Sequence, residues 1–267
     1  MNNLEVKAKE LLETRSAGVV IGYEHGPTGT ARPCFVTDPL KADKLVYDSG
    51  CVQNLAVYLT KPEVRKLGKM AVFATLPVMR SIMMLISEQQ LTAGDVVVVG
   101  ISSDGRLMDI ADLSVMKGII EKSDLGNPSD DKELIDELEK MGPEERFEWW
   151  QKELSKCIKC YACRQACPMC YCTRCAVEVN QPQWIPVGSG DYGNFEWHIL
   201  RAMHLAGRCI SCGECGRACP MGIRCHLLTM FLADKTHEYF NVYAGTSEEM
   251  KSVLSVYEPG DKESFII

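Results

Sequence analysis

Over residues 1–125 the chain alternates between short, unbroken apolar runs and longer striped segments. AGVVIGY (17–23), KMAVFAT (69–75) and VVVVGIS (96–102) are apolar at nearly every position and rich in β-branched residues. That is the signature of strands buried on both faces of a sheet. Between the last two, VMRSIMMLISEQQ (78–90) sets Ile82, Met83, Leu85 and Ile86 at helical spacing, and Gly94 and Asp95 lead into the next strand. Strand, helix and strand in this order predict a right-handed βαβ unit with parallel strands. Residues 1–125 therefore read as an α/β domain.

From residue 126 the pattern becomes helical. GNPSDD breaks the chain, and Asp130 and Glu133 stand at capping-box spacing. Leu134, Ile135, Leu138 and Met141 follow as one stripe. Gly142 and Pro143 end that helix and open PEERFEWWQKELSK, with proline at N1 and acids in the first turn. Residues 126–156 read as a helical connector, with Trp149 and Trp150 as core anchors between domains. Two more helices are expected, FEWHILRAMHLAG (195–207) and HLLTMFLADKTHEYF (226–240). The weakly patterned tail, 241–267, is expected to wrap the surface.

Composition narrows the function. Of 267 residues 46% are hydrophobic and 24% charged, ordinary for a soluble globular chain, and the net charge of −7 argues against binding nucleic acid through phosphates. MNNLEVKAKELLETR carries no apolar signal core, and no apolar run is long enough to enter a membrane. A cytoplasmic location is expected. In a reducing compartment, fourteen cysteines point to metal rather than disulfides.

The cysteines carry the strongest signal. CIKCYACRQACPMCYCTRC (157–175) holds seven in nineteen residues. Cys157, Cys160, Cys163 and Cys167-Pro168 are spaced C-x2-C-x2-C-x3-C-P, and Cys209, Cys212, Cys215 and Cys219-Pro220 repeat the rule. This is the spacing of ferredoxins with two [4Fe–4S] clusters, in which the fourth cysteine of each run ligates the other cluster. Two-residue gaps let three thiolates reach three irons of one cubane, and the cysteine before proline turns away. One cluster is then expected on Cys157, Cys160, Cys163 and Cys219, the other on Cys209, Cys212, Cys215 and Cys167. Zinc also uses C-x2-C pairs, but a third cysteine at the same interval and a C-x3-C-P close favour iron–sulfur. The long gap between the runs, flanked by helical sequence, favours an all-helical module over a β-hairpin ferredoxin.

Lys156, Lys159, Arg164, Arg174, Arg208, Arg217 and Arg224 lie close to the runs. They read as compensation for cluster charge and partly as docking surface. Cys170, Cys172, Cys175 and Cys225 are left over, either a third metal site or thiols packed beside the clusters. Cys34 and Cys51 read as interior thiols. GSGDYG (188–193) matches a dinucleotide-binding fingerprint but follows a proline-interrupted loop rather than a strand, so it reads as a helix-capping turn. His198 and His204 read as packing or surface residues. No catalytic constellation is evident.

CIKCYACRQACPMCYCTRC and GRCISCGECGRACPMGI together resemble the dicluster region of the beta subunits of coenzyme F-420-dependent hydrogenases and formate dehydrogenases, and related modules of heterodisulfide-reductase-linked complexes. KMAVFATLPVMRSIMMLISEQQLTAGDVVVVGISSDG is similar to the flavin-bearing domain of the same family. The resemblance implies an α+β chain, a degenerate flavin-type α/β domain (1–125) followed by a mostly helical ferredoxin-like domain (157–240). It implies an electron-transfer subunit, not itself catalytic, relaying electrons within a heterodisulfide-reductase-like, hydrogenase or formate dehydrogenase type complex. FAD is implied for the family's flavin-carrying members. Here Thr75-Leu76-Pro77-Val78 replaces the family's Lys-Pro-Cys-Asp turn, and Ser103-Asp104-Gly105 a Cys-Gly-Gly-type segment, which weighs against FAD. The alternatives are a flavin-containing subunit acting on a deazaflavin or nicotinamide, and a structural or sensing iron–sulfur module.

Overall fold

The computed structural model describes residues 3–179, 181–254, 256 and 259. It divides into two compact units, Met1–Ser123 with Gly245–Met250, and Asp124–Ala244 with Lys251–Ile267.

The first unit begins with α1 (Asn3–Glu13), whose Leu4, Ala8, Leu11 and Leu12 form one buried stripe. The hairpin β1 (Val19–His25) and β2 (Ala31–Val36) follows, then two 3-10 turns, Pro39–Lys44 and Leu55–Thr60. The short α2 (Pro62–Arg65) leads to β3 (Met70–Ala74), α3 (Leu76–Ser87), β4 (Val96–Ile101), β5 (Leu107–Asp109) and α4 (Leu113–Glu121). The sheet order is β2-β1-β3-β4-β5. The central strands β1, β3 and β4 are parallel, and both edge strands run antiparallel. All five residues of β3 are buried, as its unbroken apolar run requires. The expected βαβ unit is present as β3-α3-β4, with Met70 opposite Val96.

The β1–β2 hairpin was not legible in the residues. Arg32 and Pro33 interrupt β2, and a proline is tolerated there because β2 is an edge strand. Asn54 shows how the unit satisfies a buried polar group. Its Oδ1 accepts from Ala56 N at 3.2 Å, and its Nδ2 donates to Ser81 Oγ at 2.9 Å.

Cys34 and Cys51 are buried thiols of this unit. Burial pushes the Cys34 thiol up to about 11, with the Glu24 carboxylate adding to the rise. The unfolded chain ionises this thiol near 8.5, so the folded state gains from its neutrality below that pH and loses the gain as pH rises to about 11. Two results are expected: little alkylation of Cys34 at pH 8 in the native protein, and a fall in first-unit stability between pH 9 and about 11 that is absent in Cys34→Ala. Alkylation rates and thermal midpoints across that range check both.

In the second unit, α5 (Ser129–Lys140) and α6 (Pro143–Ser155) precede the short α7 (Ala162–Gln165), and α8 (Asp191–His204), the short α9 (Glu214–Arg217) and α10 (His226–Phe240) follow. Among the described residues this unit contains no strand, in line with an all-helical module. The helices of the expected connector belong to this unit rather than lying apart. Trp149 and Trp150 pack with Ile135, Leu138, Leu227 and Met230 inside it. The capping-box reading needs correction, because α5 starts at Ser129 and Asp130 lies in its first turn rather than at its cap.

The tail divides. Gly245–Met250 cluster with the first unit, and Ser255, Tyr257, Glu258 and residues 260–267 lie outside the described residues. Among the described residues no helix is long and apolar enough to cross a membrane.

Candidate metal centre

Each cysteine run folds as the same loop. Its first cysteine accepts a backbone N–H from two residues on, Lys159 N to Cys157 Sγ at 3.3 Å and Ser211 N to Cys209 Sγ at 3.4 Å. Those two donors have left-handed backbone, Lys159 at φ 52° and Ser211 at φ 58°. The residue after the second cysteine is left-handed as well, Tyr161 at φ 58° and Gly213 at φ 70°. Non-glycine residues adopt this conformation uncommonly, so its recurrence at matched positions marks a repeated structural demand. The left-handed turn sends the chain into one helical turn, α7 or α9, which carries the third cysteine, Cys163 or Cys215.

Cys219 lines one cavity with Cys157, Cys160 and Cys163, closed by Ile158, Met221, Ile223 and Trp197. It accepts from Ile223 N at 3.4 Å. Cys167 lies within reach of the charge of Cys215 of the second run, as do Cys163 and Cys170. The structure thus sets Cys219 beside the first run.

The four remaining thiols do not converge on one point. Among the described residues no group of three or more His, Cys, Asp or Glu side chains closes to the spacing of a single metal ion. A cubane spreads its thiolates over four irons and asks for a wider arrangement. Cys170 bonds to Cys167, while Cys225 bonds to both Cys163 and Cys215. The Cys225 thiol also lies 3.5 Å from the Cys215 carbonyl. Cys175 is half-buried against the core around Leu154, and Cys172 is exposed.

These contacts polarise the thiols. The bond from Cys225 holds Cys215 down to about 6 against the cost of burial, with help from Arg201. Cys163 is lowered by the same thiol, and Cys225 itself is held protonated. The bond from Cys167 and the charge of Arg201 bring Cys170 down to about 6. Burial pushes Cys157 and Cys209 up, and the bond to Cys170 with burial raises Cys167, so among the eight run cysteines the lowering falls on Cys163 and Cys215.

The flanking cations are tied to the backbone of the runs. Arg164 Nη2 donates to the Cys172 carbonyl at 2.6 Å, and Arg217 Nη2 to the Cys212 carbonyl at 2.7 Å. Lys159 is buried and donates to the Pro186 carbonyl. GSGDYG forms the entry to α8 as expected. Ser189 Oγ and Asn194 Nδ2 both donate to the Cys157 carbonyl, the latter at 2.8 Å.

The sequence reading missed Arg201. It lies on α8, is 4% exposed, and donates from Nη2 to the Cys163 carbonyl at 3.0 Å. Nearby on α8, Trp197 and His198 line the cavity of the first run. Burial, with the charges of Arg201 and Lys159, holds the His198 imidazole down to about 4. Trp197 Nε1, His198 Nε2 and Arg201 Nε have no protein partner among the described residues. Buried polar nitrogens without partners are rare, and beside a set of thiols they fit an anionic, sulfur-rich group.

Comparison with known proteins finds similarity over the same residues. Residues 156–224 match the family model of the 4Fe-4S dicluster domain. The chain is 35% identical over 96 residues to the F420-dependent formate dehydrogenase subunit beta of Methanocaldococcus jannaschii, a match covering 34% of this chain and 24% of that protein. It is 31% identical over 77 residues to the F420-dependent formate dehydrogenase 1 subunit beta of Methanococcus maripaludis, covering 25% of this chain and 19% of that one. The matches thus span about a quarter or less of these relatives' length. Folded as a pair of matching cysteine loops, residues 156–224 are a 4Fe-4S dicluster domain whose cofactors are two [4Fe–4S] clusters.

Proposed function

We propose that this chain is an iron–sulfur electron-transfer subunit of a multi-subunit cytoplasmic oxidoreductase. It would relay single electrons between a catalytic subunit and a flavin- or heterodisulfide-reductase-like partner. The observation that carries the reading is the pair of matching cysteine loops, with Cys219 in the cavity of the first. In this reading Cys157, Cys160, Cys163 and Cys219 hold one cluster, and Cys209, Cys212, Cys215 and Cys167 the other. Bound clusters supply one-electron carriers. The chain's own residues fix the thiolates through the N–H groups of Lys159, Ser211 and Ile223, and cover the first-run cavity with Trp197, Met221 and Ile223. The sulfur-directed N–H groups also stabilise added negative charge, as a carrier that must accept an electron requires. The names of the two relatives support a place in a redox complex of formate dehydrogenase type.

Purification without oxygen tests this. About eight irons and eight acid-labile sulfides per chain are expected, with no flavin released by acid. Stoichiometric flavin would instead make the chain a hydride-splitting subunit acting on a deazaflavin or nicotinamide. Zinc without sulfide would remove every redox role. The subunits that co-purify identify the electron donor and acceptor.

A further inference from the structure

Arg201 is a buried cation with an unusual set of neighbours. Among the described residues no carboxylate pairs with it, although leaving a buried charge unpaired is costly. The groups within range of its charge are thiols, those of Cys163, Cys167, Cys170 and Cys215. Arg201 donates to the backbone of Cys163 in the first run. Its Nε has no protein partner among the described residues.

We propose that Arg201 is the inter-cluster cation of this domain, a positioning residue that sets the potentials of both clusters at once. The inference rests on the ligand reading given above. A [4Fe–4S] cluster with four thiolates carries about −2 when oxidised and gains a further negative charge on reduction. A guanidinium fixed between two such groups favours the reduced form of each. Low local polarity strengthens the effect, and burial keeps salt from screening it. Because the same charge lies within range of thiols from both runs, it would also offset the repulsion that reduction of one cluster imposes on the other. Arg164 and Arg217 are less buried and carry carboxylate partners, Glu178 and Glu214, so their fields are partly cancelled. Among the described residues Arg201 has no such partner.

The test is a redox titration, followed by electron paramagnetic resonance, of the anaerobically purified protein and of Arg201→Gln and Arg201→Lys. Arg201→Gln is expected to keep both clusters and to lower the reduced-to-oxidised ratio of each at least tenfold at fixed potential, a downward shift of about 59 mV. Arg201→Lys, which keeps the charge, should shift each midpoint by less than half as much. Unchanged midpoints in Arg201→Gln overturn the proposal. If Arg201→Gln assembles no clusters, Arg201→Lys must restore both, and its failure to do so overturns the proposal too. Iron and sulfide in the unaltered protein separate the two ideas. A shortfall there counts against the ligand assignment, whereas the role of Arg201 stands or falls on the difference between variants.

Discussion

Replacing Cys219 with serine should halve the metal content, from about eight irons per chain to about four, while the cluster on the second run survives. Sequence proximity alone would predict the opposite, since Cys219 follows Cys215 by only four residues. The geometry decides otherwise, because Cys219 shares a cavity with Cys157, Cys160 and Cys163. Serine keeps the size of the side chain but offers a hydroxyl that ionises poorly and is a hard ligand for iron that prefers soft sulfur. Iron and sulfide analysis gives the count, and the resonance signal of the reduced protein identifies which cluster remains. Loss of the second-run cluster would mean that each run is self-contained. Cys172→Ser serves as the comparison, because Cys172 is exposed and should leave both clusters intact.

The second large effect concerns stability. Removing iron with a chelator should loosen the second unit and leave the first folded. Each unit has its own core. That of the first is built from Leu4, Val20, Phe73, Val99 and their neighbours, with no metal-run cysteine. That of the second includes Cys163, Cys215 and Cys225 among its buried members, with Cys157, Cys175 and Cys219 packed against them. Without metal, this core holds free thiols beside a buried guanidinium in place of covalent links, and binding free energy becomes folding free energy. Amide exchange in α8 and α10 should rise at least a hundredfold, equivalent to about 2.7 kcal/mol, while β1, β3 and β4 stay within about tenfold. Equal loss of protection in both units would show that the sheet depends on the clusters.

The residues announced some of this architecture and concealed the rest for physical reasons. The cysteine spacing was readable because a cubane imposes a fixed interval on the chain. The β3-α3-β4 unit was readable because strands buried on both faces must be apolar throughout, and HLLTMFLADKTHEYF marked the bounds of α10. The hairpin partner β2 was hidden, since an edge strand tolerates Arg32 and Pro33 and loses its alternation. The start of α8 at Asp191, four residues before the expected Phe195, follows from Ser189 and Asn194 anchoring that turn to the Cys157 carbonyl, a contact from distant sequence. Arg201 was hidden for a related reason. An arginine on a mixed helix face looks like surface, and only the fold reveals that its partners are thiols.

The matched left-handed loops bear on which way current would run. Two identical halves would give an electron no preference between them, so any bias must arise where the duplication is broken. Lys159 in the first loop answers to Ser211 in the second, and Tyr161 to Gly213. The first half therefore has a buried ammonium and an aromatic ring where the second has a hydroxyl and a hydrogen atom. With clusters held as proposed, that asymmetry would make the first-run side the electrostatically deeper well, and it lies in the residues between the cysteines rather than in the cysteines themselves.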